Sequence, residues 1–148
     1  MTAEGLFSIA NLVAVAGWIL LIAAPRNRRA ATIAGTLVPL LLAGLYVALL
    51  AAHWGDRRGG FSTLRGVSEL FSNDWLLLAG WVHYLAFDLF VGTWETRDAL
   101  ERGLSRWLVV PCLLLTFLFG PAGWLADRLV RAVRDGIAER FPRNLTAA

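Results

Sequence analysis

The chain has 148 residues, 57% of them hydrophobic and 17% charged, whereas a soluble domain is about 45–50% apolar even with glycine counted and about 25% charged. A water-soluble globule is therefore excluded, and so is a nucleic-acid binder: the 14 basic residues, all arginine, stand against 11 acids and give a formal +3 spread along the chain rather than a basic patch. One cysteine, Cys112, permits no intrachain disulfide, and no cluster has zinc-site spacing; no metal and no cofactor are expected.

A spanning helix needs about 20 mainly apolar residues, and four runs approach that length. The first, Gly5 to Ala24, carries no charge and stops at Pro25 and the cluster Arg26, Arg28, Arg29, because proline cannot continue the ladder and guanidinium groups seek the headgroup layer. Its leader, Met1-Thr2-Ala3-Glu4, is not basic, which argues against a signal peptide. The second run, Ala30 to Ala52, holds Pro39 and Gly44 near its middle and predicts a kink there. The third, Trp75 to Gly92, follows Ser72-Asn73-Asp74, side chains able to cap a helix start. The fourth, Trp107 to Ala126, carries Pro111 early and Gly120-Pro121-Ala122-Gly123 late, which predicts a break in its regular helix before the lipid boundary.

These runs predict an all-α fold, a four-helix transmembrane bundle with spans at about 5–24, 30–52, 75–92 and 107–126. Residues 1–148 form a single integral membrane domain, of which 127–148 are a short amphipathic tail. In that tail Leu129, Val133 and Ile137 recur every four residues while Arg128, Arg131 and Arg134 fall elsewhere on the wheel, a pattern for a helix lying on a membrane surface. Four spans leave sidedness open. The arginine total favours cytoplasmic ends by 8 to 6, but the cluster after the first helix, which usually dominates, favours the opposite orientation.

The third run places two ionisable groups at membrane depth, His83 and Asp88. A central aspartate costs about 2.5–3.5 kcal/mol on the insertion scale, close to what the Leu, Val and Phe residues of this run return. Its polar face must therefore be buried against other helices, and such groups are candidates for function. At 100° per residue Trp81, Tyr84 and Asp88 share one stripe, whereas His83 points about 140° away from Asp88, toward Phe87 and Phe90. An acid and an imidazole sheltered from water suit general acid and general base roles, but these two reach one ligand only from different sides. The packing alternative has Tyr84 donating to Asp88 and His83 bonding a carbonyl freed by Pro39 or Pro111.

Three segments carry a resemblance: Gly17-Trp18-Ile19-Leu20-Leu21-Ile22-Ala23-Ala24-Pro25-Arg26, then Gly80-Trp81-Val82-His83-Tyr84-Leu85-Ala86-Phe87-Asp88-Leu89-Phe90-Val91-Gly92, then Leu114-Leu115-Thr116-Phe117-Leu118-Phe119-Gly120-Pro121-Ala122-Gly123. With them the chain resembles the family of small membrane proteins grouped with the plant factor for neoxanthin synthesis, abscisic-acid-deficient four. The resemblance implies a polytopic protein of carotenoid metabolism that binds a carotenoid or related isoprenoid and isomerises it by acid and base chemistry without redox change. On that reading Asp88 and His83 are the catalytic residues, Trp81, Tyr84, Phe87 and Trp94 the substrate-binding ones, and the location is a bacterial inner membrane. The partners expected are the lipid bilayer, an apolar isoprenoid ligand and a second copy or another membrane protein. The alternatives are a non-enzymatic binding or assembly protein and a proton or small-solute pathway.

Overall fold

In the computed structural model, which describes residues 2–140, the described residues contain helices and turns and no strand. Helix α1 (Ala3–Ala23) starts where the Thr2 hydroxyl accepts from Gly5 N at 3.2 Å and ends before Pro25. Asn27 caps α2 (Arg28–Thr32), which passes through a π turn (Ile33–Leu37) into α3 (Val38–His53). The predicted irregularity near Pro39 is this π turn: proline has no N–H to offer the carbonyl four residues back, and a wider turn re-registers the ladder. A 3-10 turn (Trp54–Asp56) and the short α4 (Leu64–Leu70) occupy the connection that follows.

Asn73 caps α5 (Asp74–Glu101), which continues well past the Gly92 end expected from hydropathy. Glu95 and Asp98 beyond Gly92 do not stop it because other side chains cover them, as described below. The fourth run breaks at the Gly120-Pro121 pair, where its sequence predicts an interruption, but the chain does not go on as one span. Instead of one span it forms α6 (Arg106–Phe119) and α7 (Pro121–Arg140), broken at Gly120, whose φ of 46° lies in the left-handed region that favours glycine. Three helical stretches are long and apolar enough to cross a membrane, Ala3–Ala23, Arg29–Asp56 and Asp74–Glu101, while Arg106–Phe119 is a shorter apolar helix. The predicted bundle of four spanning helices is thus three long helices and an α6–α7 hairpin.

Helix α5 is the hub. Helix α3 runs antiparallel to it, with Tyr46 beside His83 and His53 stacked on Trp75 at 4.7 Å. Helix α1 runs parallel to it, tied by Trp81 Nε1 donating to Asn11 Oδ1 at 3.1 Å. Two apolar clusters fill the contacts: one around Ala14, Leu42, Leu78 and Val82, the other around Trp18, Leu21, Ala34 and Leu89. Gly92 lets the buried Trp18 indole lie directly on the α5 backbone, where any Cβ would collide with the ring. Leu12, Leu40, Leu41 and Val47 point outward, as expected of helices whose solvent is acyl chain.

The α7 segment is amphipathic, but its polar side faces the protein. Leu129 and Val133 are exposed, whereas Arg131, expected on a solvated face, is buried together with Asp127. The Ile137 side chain and residues 141–148, included in the predicted tail, lie outside the described residues.

Candidate functional site

The polar groups of α5 divide between two faces. On the inner face Tyr84, Asp88 and Glu95 follow one another along the helix and meet the α6–α7 hairpin. Asp88 is 9% exposed, and its carboxyl lies beside the Tyr84 hydroxyl, which also donates to the Phe117 carbonyl at 3.4 Å. Asp88 Oδ1 sits 2.8 Å from the place a Cβ on Gly120 would take, so glycine is needed there for space as well as for its backbone angle. Asp88 Oδ2 is buried and has no hydrogen-bond partner among the described residues.

Further along, the fully buried Glu95 has Thr116 Oγ1 at 3.0 and 3.1 Å from its two carboxyl oxygens. Arg131 forms a two-point pair with Asp127, 2.7 Å at each contact, and donates to the Glu95 carbonyl at 3.0 Å. Asp98 accepts from Arg102 and Arg128 and contacts the remaining Arg131 nitrogen; Arg102 also reaches Asp135 at 3.2 Å. The Asp98 and Asp127 charges persist at this depth because each has guanidinium partners, the arrangement that compensates desolvation, whereas the Glu95 carboxyl is held by the Thr116 hydroxyl.

The outer face carries His83. It is exposed, its rings of contact being Phe87 at 4.6 Å and Tyr46 at 5.3 Å, and it bonds no carbonyl freed by a proline among the described residues. It lines an apolar groove of about 340 Å³ between α3, α4 and α5, with Tyr46, Trp54, Phe61 and Phe71 among the walls. Phe87 is exposed beside it. Trp81 packs on Phe7 and Tyr84, and Trp94 is covered by the Arg128 guanidinium at 4.3 Å. The predicted residues are therefore not brought into one pocket. Tyr84, Asp88 and the flank of Trp81 face inward or toward α1, while His83 lines the groove and Phe87, outside it, stacks on the imidazole. Arg97, further along the same helix, is exposed.

Glu95, Thr116, Asp127 and Arg131 escaped the sequence reading. The available signal was the seven-residue spacing from Trp81 to Asp88 to Glu95, which keeps all three within about 40° on a helix. It went unused because hydropathy ends the run at Gly92.

The three segments singled out in the sequence converge here. Trp18 of the first contacts Gly92 of the second and meets Phe117 of the third edge-on at 5.6 Å, and Gly120 of the third lies against Asp88 of the second. The ABA DEFICIENT 4-like family matches residues 5–126. The chain belongs to that family. Among curated proteins it is similar to "Protein ABA DEFICIENT 4, chloroplastic" of Arabidopsis thaliana, 28% identical over 141 residues, 88% of this chain and 62% of that protein. The chain thus spans less than two thirds of the relative's length. The relative is named as chloroplastic, so the expectation of a bacterial inner membrane gains no support from it. No solved structure matches the chain.

Proposed function

We propose that this ABA DEFICIENT 4-like protein binds an isoprenoid of the carotenoid class in the groove between α3, α4 and α5. The observation that carries the reading is the groove itself: about 340 Å³, walled by Tyr46, Trp54, Phe61 and Phe71, with the His83 imidazole set among them. Flat aromatic walls with few polar groups suit a conjugated, mostly apolar ligand. One ring end enters, with His83 as its polar contact, and the rest of the chain lies along the apolar outer surface near Phe87.

Isomerisation of an epoxide to an allene needs an acid at the oxygen and a base at carbon. In this reading His83, in the groove, takes the base role. Asp88, with Tyr84, faces the opposite side of α5 and reaches the same ligand only past that helix, which sets binding ahead of chemistry in this proposal. A non-enzymatic binding role is the second reading, and that same separation of acid and imidazole favours it.

The test is to purify the protein from carotenoid-accumulating membranes and quantify co-purified isoprenoids by absorbance and mass spectrometry. Stoichiometric pigment in the wild type, lost in Tyr46→Ala and His83→Ala variants that still accumulate, supports the proposal. Pigment no higher than in mock-purified membranes overturns it. A changed isomer profile that depends on His83 decides for catalysis.

A further inference from the structure

The depth of the α6–α7 turn can be read from α5. At 1.5 Å per residue the 28 residues of α5 are about 42 Å long, and Asp88 stands at their midpoint. Gly120 lies against Asp88, so the turn sits at half the length of a helix that would itself cross the bilayer. From there both arms travel toward the same end of α5. Going back along α6, Thr116 meets Glu95, and Arg106 donates to the carbonyl of Ile22 at the end of α1. Going forward along α7, Arg128 and Arg131 meet Asp98, and Asp135 meets Arg102. Helix α6 has 14 residues, about 21 Å, which equals the rise of α5 from Asp88 to Arg102 and falls short of the roughly 30 Å of hydrocarbon; α7 has 20 residues but has already reached the level of Arg102 at Asp135.

We propose that α6 and α7 do not cross the membrane but enter it as a re-entrant helical hairpin, with its turn at mid-depth on Asp88. The connection Arg102–Ser105 and the far end of α7 then share one face of the membrane, which is the cytoplasmic face. The Ala3 end of α1 and the α3–α5 connection lie on the opposite face.

The turn meets the demand that backbone polar groups at membrane depth be satisfied or removed. Gly120 N donates to the Thr116 carbonyl at 2.8 Å, the Gly120 carbonyl accepts from Gly123 and Trp124, and Pro121 has no N–H to leave bare. Arg128 and Arg131 pair inward with Asp98 of α5 and with Asp127, and the hairpin's outward residues include Leu118, Phe119, Leu125 and Leu129. Orientation follows from arginine. With three crossings, one face receives Arg26, Arg28 and Arg29 after α1, Arg102 and Arg106 after α5, and Arg128, Arg131 and Arg134 on α7, leaving Arg57, Arg58 and Arg65 to the other. Four crossings would set the arginine total against the cluster after the first helix. Three crossings and a hairpin bring both criteria of the positive-inside rule into agreement.

The experiment places single cysteines in the full-length protein at Ser62→Cys, Ser105→Cys and Gly136→Cys, all exposed positions, expressed in a bacterial host. The wild type, whose lone Cys112 is buried, is the blank. Intact and permeabilised cells are treated with a membrane-impermeant maleimide. Ser62→Cys is expected to label in intact cells, and Ser105→Cys and Gly136→Cys only after permeabilisation. Opposite accessibility of Ser105→Cys and Gly136→Cys overturns the hairpin, and labelling of both in intact cells overturns the orientation. Thr63→Cys and Arg102→Cys repeat the comparison should the first variants fail to accumulate.

Discussion

The Asp127 and Arg131 side chains, 2% and 4% exposed, illustrate how one residue can decide whether a helix stays packed. Removing either partner leaves the other charge buried, a change worth about 3–5 kcal/mol, whereas replacing both by apolar groups of similar size is often nearly neutral. Arg131→Met is therefore expected to lower the melting temperature of the detergent-solubilised protein sharply, and Asp127→Leu combined with Arg131→Met to recover much of the loss. Thermal unfolding followed by circular dichroism distinguishes these outcomes. Thr116 belongs to the same network. Thr116→Val removes the hydroxyl beside the fully buried Glu95, and leaving such a carboxyl without its partner costs about 1–3 kcal/mol or more. The same measurement should show Thr116→Val less stable than Thr116→Ser.

Among elements, the α6–α7 hairpin depends on small residues at its closest approach. A Cβ on Gly123 would run into the Thr116 backbone, and one on Gly120 would meet the Asp88 carboxyl at an unfavourable positive φ. A left-handed backbone costs an L-residue about 1–2 kcal/mol before any clash is counted. Gly123→Leu is expected to open the hairpin and expose Cys112, so that a thiol reagent labels the folded protein faster than wild type; unchanged labelling would argue that the hairpin tolerates separation. The α1–α5 contact works in the same way. Gly92→Ala drives a methyl group into Trp18, and Trp18→Phe, which removes part of the indole, should restore much of the lost thermal stability. In lipid such contacts act through packing, since acyl chains are as apolar as the side chains they replace.

For the molecule as a whole, α5 separates two environments that the sequence compresses into twelve residues. The inner face holds Asp88 and the charged network under the hairpin; the outer face holds His83 and the aromatic groove. Asp88→Asn is accordingly expected to leave pigment binding intact while His83→Ala removes it, as read by pigment-to-protein ratio after purification. Loss in both variants would mean that the faces communicate through α5.

The helical class was legible in the sequence, as were the three long apolar stretches, the capping residue Asn73, and the divergence of His83 from Asp88. Each rests on local rules of hydropathy, periodicity and backbone chemistry that need no partner. The far end of α5 and the turning back of the fourth run were not legible. Hydropathy scores Asp98, Arg128 and Arg131 one at a time as hostile to membrane, yet as pairs they cover one another. The pairing joins positions some 30 residues apart, on α5 and α7. What the sequence determined by itself was therefore where apolar helices form and which of their residues share a face. The tertiary structure alone decided that Gly120-Pro121 turns the chain back at Asp88, because only the charge partners on α5 make a buried polar face on α7 less costly than another crossing.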